Sequence, residues 1–132
     1  MKHAVLFRAG PALIRLAGRS VPITVALKVR RVLRLVMPEL EALDAARQEL
    51  LTRHAIQRDG APAMMQGANG EMHYRLADPA AFGREWAALL EDEVVLELPS
   101  IPLALFGEME IAAADLDALL DAGCVSGDGG DA

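Results

Sequence analysis

Apolar residues recur every three or four positions between residues 25 and 51, which is the spacing of one face of an α-helix. The positions are Val25, Val29, Val32, Leu33, Val36, Leu40, Leu43, Leu50 and Leu51. With Lys28 placed at 0° and a step of about 100° per residue, all nine fall between about 40° and 140°. The pattern predicts a long amphipathic helix from Pro22 to His54.

Pro38 lies in the middle of this predicted helix. A proline there lacks a backbone N–H and crowds the carbonyl group of Arg34, which costs about 3 kcal/mol in a straight helix. Because the apolar stripe keeps its phase on both sides of Pro38, we expect one kinked helix. The alternative is a new helix that starts at Pro38, with Glu39 and Glu41 near its positive N-terminal end.

The N-terminal residues 2–9 fit either a strand or a helix, and Gly10-Pro11 follows them. Proline is well placed in the first turn of a helix. We therefore expect a separate short helix that begins at Pro11, continues to Ala17 and is ended by Gly18.

The segment after the long helix has the pattern of a β-hairpin. Asp59-Gly60 is expected to end the helical part, and residues 62–66 and 71–76 flank the tetrapeptide Gly67-Ala68-Asn69-Gly70. Its Asn-Gly step favours the positive φ of a tight turn. A flexible loop is the alternative.

Two further helices are predicted in the C-terminal half. Asp78 followed by Pro79 is typical of an N-cap and a first helical residue, and the apolar spacing extends this helix to Glu91. A second helix is expected over residues 113–122, stopped by Gly123.

The residues between these helices predict a strand at a sheet edge. Over residues 93–98, Val94, Leu96 and Leu98 fall on one side of an extended chain, and Val95 and Glu97 fall on the other. Pro99 and Pro102 cannot donate ladder hydrogen bonds, which places the following stretch at an edge or outside the sheet. Ile101 and Leu103 would then be exposed for a partner strand or groove. The alternative is that both complete the protein's own core.

These elements predict an α+β fold: a long kinked amphipathic helix plus two or three shorter helices, packed on a small, mainly antiparallel sheet. A chain of 132 residues suits one domain. We expect a single α+β domain over residues 1–125 and a flexible acidic tail over residues 126–132. There is no run of about 18 apolar residues and no signal-peptide pattern, so no membrane segment is expected.

Charge is distributed unevenly along the chain. The net charge is −6, yet residues 1–35 hold eight basic residues and no acid, whereas the remainder holds five basic and 19 acidic residues. Such an asymmetry favours either an anionic partner or attraction between two parts of the protein itself.

A basic cluster on the long helix, formed by Lys28, Arg30, Arg31 and Arg34, is the candidate partner-binding site. Its three guanidinium groups fall at about 200–300°, away from the apolar stripe, where they could bind carboxylates or phosphates. The simplest interpretation is a solvated face that pairs with the protein's own acids. A protein partner is the functional alternative. Nucleic acid is disfavoured, because the chain is acidic overall and no aromatic residue is interleaved for base stacking.

No catalytic or metal-binding arrangement is recognisable. His3, His54 and His73 are far apart and lack the i, i+4 spacing of a metal site. Cys124 is the single cysteine, which excludes an internal disulfide and a cysteine-based zinc site. We therefore expect no enzymatic activity, no cofactor and no metal.

Hydrophobic and charged positions follow a definite order over residues 11–122. The order begins with a short predicted helix that ends near Leu16 and a second predicted helix that is led by Pro22. The second helix contains the run Leu33…Pro38-Glu39-Leu40-Glu41-Ala42-Leu43…Arg47…Leu50. The later runs are Phe82…Glu85…Leu89-Leu90…Glu93-Val94, Leu98…Ile101-Pro102-Leu103 and Ile111…Leu116…Leu119. In this order these positions resemble a family of short proteins of unknown function encoded by bacteriophages and prophages. The chain is richer in Ala and Arg than the lysine-rich members of that family, and its N-terminal segment and acidic tail have no counterpart there.

The resemblance implies a phage origin and supplies no catalytic residues. We expect a non-enzymatic phage accessory protein that acts through protein–protein contacts in virion assembly or structure, in the host cytoplasm or associated with the virion. One alternative is a phage-encoded inhibitor of a host defence or nucleic-acid enzyme. Another is nucleic-acid binding through the face that carries Arg30, Arg31 and Arg34.

Overall fold

Residues 1–127 are described by the structure, a computed structural model, and they contain four α-helices, one 3₁₀ helix and six short strands. The helices are α1 (His3–Ala17), α2 (Ile23–His54), α3 (Pro79–Glu91) and α4 (Ala113–Asp121), and the 3₁₀ helix is Leu103–Phe106. The strands are β1 (Gln57–Arg58), β2 (Ala61–Pro62), β3 (Met64–Gln66), β4 (Met72–Tyr74), β5 (Ile101–Pro102) and β6 (Val125–Ser126). The predicted α+β class is confirmed. No helix in this part of the chain is long and apolar enough to cross a membrane.

The strands form three separate two-stranded pieces instead of one sheet. β1–β2 and β3–β4 are antiparallel, whereas β5–β6 is parallel. Contacts divide the chain into two compact units: residues 1–41 with residues from 93 onward, and residues 42–92. α2 contributes its first part to unit 1 and its last part to unit 2.

α1 is one continuous helix that includes both Gly10 and Pro11. The expectation that Gly10-Pro11 would start a new helix is therefore wrong. A proline ring clashes mainly with the N–H and Cβ of the residue before it, and glycine has no Cβ. Buried side chains on both sides of the pair, such as Leu6 and Leu13, add packing that offsets the missing hydrogen bond.

α2 continues through Pro38, so the alternative of a separate helix that starts at this proline is wrong. Pro38 itself is exposed, while Val36 before it and Leu43 after it are buried. Each fully buried side chain of this size contributes about 1.5–3 kcal/mol. Packing on both sides therefore outweighs the local cost of the proline.

Unit 1 is built around one hydrophobic core, to which α1, α2, β5, the 3₁₀ helix, α4 and β6 contribute. Its buried residues are Leu6, Ala9, Ala12, Leu13, Leu16, Val25, Val29, Val32, Val36, Ile101, Phe106, Ala118, Leu119, Ala122, Cys124 and Val125. α1 packs against α4, and β6 follows α4 directly to pair with β5. Alanine and valine fill much of this core, as the scarcity of aromatic residues requires.

Unit 2 contains two hairpins between the end of α2 and the start of α3. The hairpin over residues 62–76 is confirmed, with Met64 opposite Tyr74 and Gln66 opposite Met72. Asp59-Gly60 does not end the helical part as expected, because α2 ends at His54 and β1 follows it. It is the two-residue turn of the β1–β2 hairpin, with φ of 53° and 78°. α3 begins as predicted, because the Asp78 side chain accepts a hydrogen bond from the Ala81 N–H at 3.1 Å.

The strand predicted over residues 93–98 keeps its alternation but forms no ladder. Val94 exchanges two hydrogen bonds with Met1, at 2.8 and 3.0 Å, and Glu93 forms an isolated bridge with Lys2. Ser126, which was expected in the tail, is the last residue of β6. Residues 128–132 of the predicted tail lie outside the described residues.

Candidate protein-binding surface

The predicted apolar stripe of α2 faces the protein interior. Val25, Val29, Val32, Val36 and Leu43 are buried, and Leu33, Leu40, Leu50 and Leu51 are half-buried. Arg30, Arg31 and Arg34 are all exposed on another side of the helix. Lys28 is half-buried and lies between the two faces. The predicted division of α2 into an apolar and a basic side is therefore confirmed.

Exposed apolar side chains lie among these arginines. Ile23 is 86% exposed, Leu27 is 50% exposed and Leu35 is 43% exposed. Residues three and four positions apart are neighbours on a helix surface, so these side chains and the arginines form one continuous patch. We call it the arginine face: Ile23, Leu27, Arg30, Arg31, Arg34 and Leu35. Protein interfaces are enriched in arginine, and their buried centres are more apolar than the rest of the surface, so this composition is compatible with such a surface.

The arginines of this face have no internal partner within residues 1–127. Neither Lys28 nor Arg30, Arg31 or Arg34 forms a hydrogen bond or an ion pair with another described residue. These cations therefore do not pair with acidic residues of the described chain, in contrast to the simplest interpretation of the sequence. What remains is a cationic, partly apolar surface whose hydrogen-bond donors are directed to solvent.

The basic residues of α1 and the following loop behave differently. The Arg15 guanidinium donates two hydrogen bonds to Asp115 on α4, of 3.0 Å from Nε and 2.5 Å from Nη2. Arg8 lies 3.3 Å from Asp121, and Arg19 donates to the carbonyl oxygen of Glu110. Arg8 and Arg15 thus join α1 to α4, whereas Arg30, Arg31 and Arg34 form no such pair within residues 1–127.

The unpaired arrangement carries an energetic cost within the free protein. Arg30 and Arg34 are four positions apart, and Arg31 and Arg34 are three apart, so like charges are neighbours on the helix. Each such pair destabilises a helix by about 0.2–0.5 kcal/mol. A partner that supplies carboxylates would relieve this repulsion and form charge-assisted hydrogen bonds with guanidinium groups.

The second predicted binding element is only partly available. Ile101 is fully buried in the core of unit 1, where it pairs with Val125 in the parallel β5–β6 ladder, and its N–H donates to the Cys124 carbonyl at 2.8 Å. Leu103 is half-buried and packs against the same core at the start of the 3₁₀ helix. The expectation that these residues bind a partner is corrected for Ile101, because its side chain has no access to solvent. The alternative in which the stretch completes the core is the one that the structure shows.

An exposed position precedes this stretch. Val95 is 94% exposed, between Val94 and Leu96, which pack against the core. From residue 95 to residue 100, the described chain forms no backbone hydrogen bond to another segment. These residues show the alternating burial that is expected of a strand, but they are not paired with another described strand.

A contact that the sequence did not predict joins α2 to α3 within unit 2. His54 Nε2 lies 2.5 Å from Glu85 Oε2, and the ring of Phe82 meets the His54 ring edge-on, with centroids 6.2 Å apart. The hydrogen bond from His54 lowers the pKa of the Glu85 carboxyl, against an opposing effect of burial. The residues lie 31 positions apart, so no local spacing indicates the pair. It fixes the end of α2 to α3.

The other residues considered for chemistry remain dispersed. Within residues 1–127, no three His, Cys, Asp or Glu side chains are grouped so that they could hold a metal ion. Cys124 is buried in the core of unit 1, and burial raises the pKa of its thiol to about 11. A thiol in this state is a poor nucleophile, since the thiolate is the reactive form.

None of the protein-family models, curated proteins or solved structures compared with the chain matches it.

Proposed function

We propose that the protein is a non-enzymatic phage accessory protein that acts through protein–protein contacts in virion assembly or structure, with the arginine face as its docking surface. The observation that carries this proposal is that Arg30, Arg31 and Arg34 have no partner within residues 1–127, combined with the exposure of Leu27 and Leu35 among them. The phage origin is supported by the resemblance described from the sequence. The partner surface is acidic with an apolar centre.

The rigidity of α2 supports this role. The opposite side of the same helix is anchored by Val25, Val29, Val32 and Val36, which are fully buried. A surface on an anchored helix loses little conformational entropy on binding, so more of the interaction energy appears as affinity. Planar guanidinium groups also lose less freedom per hydrogen bond than lysine side chains.

The location of the protein in purified virions tests the biological part of the proposal. Mass spectrometry of virions from a phage that carries the gene should detect the chain in a fixed ratio to the structural proteins. A chain that is made during infection but absent from virions and assembly intermediates would contradict the proposal, and would favour the inhibitor of a host defence or nucleic-acid enzyme.

A charge-reversed triple variant tests the docking surface. R30E/R31E/R34E should abolish incorporation, whereas R53E/R58E/R84E, which changes the net charge equally at three other exposed arginines, should not. Both variants should retain the helical circular dichroism of the unchanged protein. Equal loss in both variants would indicate a general charge effect and remove the arginine face as the site.

Nucleic acid remains a second candidate, because the same unpaired guanidinium groups suit phosphates. Three neutralised phosphates would give a slope of about −2.7 in a plot of log affinity against log salt. A mobility shift with this salt dependence that is lost in Arg31→Glu would support the nucleic-acid candidate and displace the protein partner.

A further inference from the structure

A cavity of about 500 Å³ opens in unit 2, outside the arginine face. Its apolar walls come from the last turns of α2, the β3–β4 hairpin and the start of α3. The apolar residues are Leu51, Met64, Met72, Leu76 and Phe82. The other lining residues, Arg47, Gln48, His73 and Tyr74, are polar. Cavities of about 300–1,000 Å³ that combine apolar walls with polar groups are typical of sites for small organic molecules.

Three polar side chains line the same cavity without an internal hydrogen-bond partner. They are Arg47, Gln48 and Tyr74, and none forms a hydrogen bond or an ion pair with another residue in the described part of the chain. The Arg47 guanidinium carbon lies 5.9 Å from the centre of the Trp86 ring, which helps hold the arginine beside the cavity. A few convergent polar groups in an apolar cavity fix the orientation of a ligand.

The charges around this cavity favour an anion. Arg47 is the permanently charged residue among the described lining residues, and none of these residues is Asp or Glu. This is notable in a chain with a net charge of −6. His73 also lines the cavity, and its Nε2 lies 4.0 Å from the Glu71 carboxylate, which is outside the lining. A guanidinium group binds a carboxylate through two parallel hydrogen bonds, and the Tyr74 hydroxyl and the Gln48 amide are further donors.

We propose that this cavity binds a small organic carboxylate with an apolar body, and that Arg47 is its carboxylate-binding residue. Leu51 and Phe82 contact the apolar body of the ligand. Met64 and Met72 are about half exposed, and methionine side chains adapt their shape to different apolar groups. The site therefore selects for charge more strictly than for shape. It is independent of the docking function of α2.

NMR of protein with labelled methionine methyl groups tests the proposal directly. Two of the six methionines, Met64 and Met72, line the cavity, while Met1, Met37 and Met109 lie in unit 1. Phenylbutyrate should shift the Met64 and Met72 methyl signals with a dissociation constant of about 1 mM, as expected for a ligand of this size. Phenylbutanol should bind more weakly, and phenylbutylamine should not bind. Single Met→Leu variants assign the signals.

Substitution of Arg47 separates the carboxylate site from general apolar binding. Arg47→Gln should weaken phenylbutyrate binding about tenfold or more. Arg47→Lys should retain part of the affinity, and the matched control Arg58→Gln should change it by less than about twofold. Unchanged signals of Met65, which lies in unit 2 but not in the cavity lining, and of the unit 1 methionines would show that each variant is folded.

Three outcomes would overturn the proposal. They are no shift at Met64 and Met72 up to the solubility of phenylbutyrate, equal shifts at all methionines, and binding of phenylbutylamine as tight as that of phenylbutyrate. Equal affinity in Arg47→Gln would overturn the role of Arg47.

Discussion

Gly10 of α1 and Leu40 of α2 lie so close that a β-carbon on Gly10 would be 2.5 Å from Cδ1 of Leu40 and 3.1 Å from Cδ2. Gly10 is buried and Leu40 is half-buried, both within unit 1. The absence of a side chain at Gly10 therefore permits this approach of the two helices. Gly10 therefore has a role in helix packing, whereas the sequence predicted that a new helix would start at Gly10-Pro11.

The Gly10–Leu40 contact predicts coupled stability effects. Replacing glycine by alanine inside a helix gains about 1 kcal/mol, but Leu40 must turn away at a rotamer cost of about 0.5–1.5 kcal/mol. We expect Gly10→Ala to be close to neutral in the unchanged protein and to stabilise by about 1 kcal/mol in the Leu40→Ala background. Urea unfolding of the four proteins measures the coupling. Additive effects would show that the two residues do not contact each other.

Substitutions at adjacent residues on the two sides of α2 should change the free energy of unfolding by different amounts. Val32→Ala removes two methyl groups from the core of unit 1 and should lower the free energy of unfolding by about 2 kcal/mol. Arg31→Gln should change it by less than about 0.5 kcal/mol, because Arg31 is exposed and has no partner in the described chain. Chemical denaturation checks both. A large loss for Arg31→Gln would mean that this arginine stabilises the fold instead of serving a partner.

The ion pair between Arg15 and Asp115 predicts a pH dependence of stability. The hydrogen bond from Arg15 lowers the pKa of the Asp115 carboxyl below its ordinary value of 3.8, although burial opposes this effect. The folded-state pKa of Asp115 lies below its unfolded-state value. The ion pair therefore stabilises the folded protein above the ordinary pKa, and this stabilisation is lost as the pH falls through the folded-state pKa.

Asp115→Asn should therefore reduce stability at pH 7, and the difference from the unchanged protein should shrink at acidic pH. Thermal unfolding at a series of pH values measures this change. Asp117→Asn is the matched control, because Asp117 is exposed on the same helix and forms no ion pair in the described chain. An equal effect of both substitutions at every pH would contradict a specific role of the Arg15–Asp115 pair.

The buried thiol of Cys124 predicts the opposite pH trend. Burial raises its pKa to about 11, so the folded protein keeps the thiol protonated where the unfolded chain ionises it. Stability is fully retained below the ordinary pKa of 9.0 and is lost as the pH rises toward 11, with a slope of at most about 1.4 kcal/mol per pH unit. Cys124→Ala should remove this slope. A thiol reagent at pH 8 should react slowly with the native protein and rapidly in denaturant, and fast native reaction would contradict burial.

Local patterns were sufficient for several elements. The apolar stripe from Val25 to Leu51 predicted α2 because helix periodicity depends on neighbouring residues alone. Asp78-Pro79 predicted the start of α3 for the same reason, since the cap hydrogen bond to Ala81 spans three positions. The exposure of Arg30, Arg31 and Arg34 followed from the position of the buried stripe.

Features that depend on long-range contacts could not be predicted from the sequence. Ile101 looked like an exposed edge residue, because nothing near it in sequence indicates that Val125 pairs with it. The Arg15–Asp115 pair spans 100 positions, and Arg47 and Tyr74 of the proposed carboxylate cavity come from a helix and a hairpin. The sequence separation of these residues gives no indication that they lie close together in the folded protein.

The sequence by itself determined which side of each helix is apolar, where α3 begins and the presence of the β3–β4 hairpin, because these features depend on spacing within a few residues. The tertiary structure decided which basic residues pair with acids of the described chain, such as Arg15 with Asp115. It also decided that α1 continues through Gly10-Pro11 and that Ile101 is buried. These outcomes depend on packing between distant segments, whose free energy outweighs the local preferences of a proline, a glycine or an exposed edge.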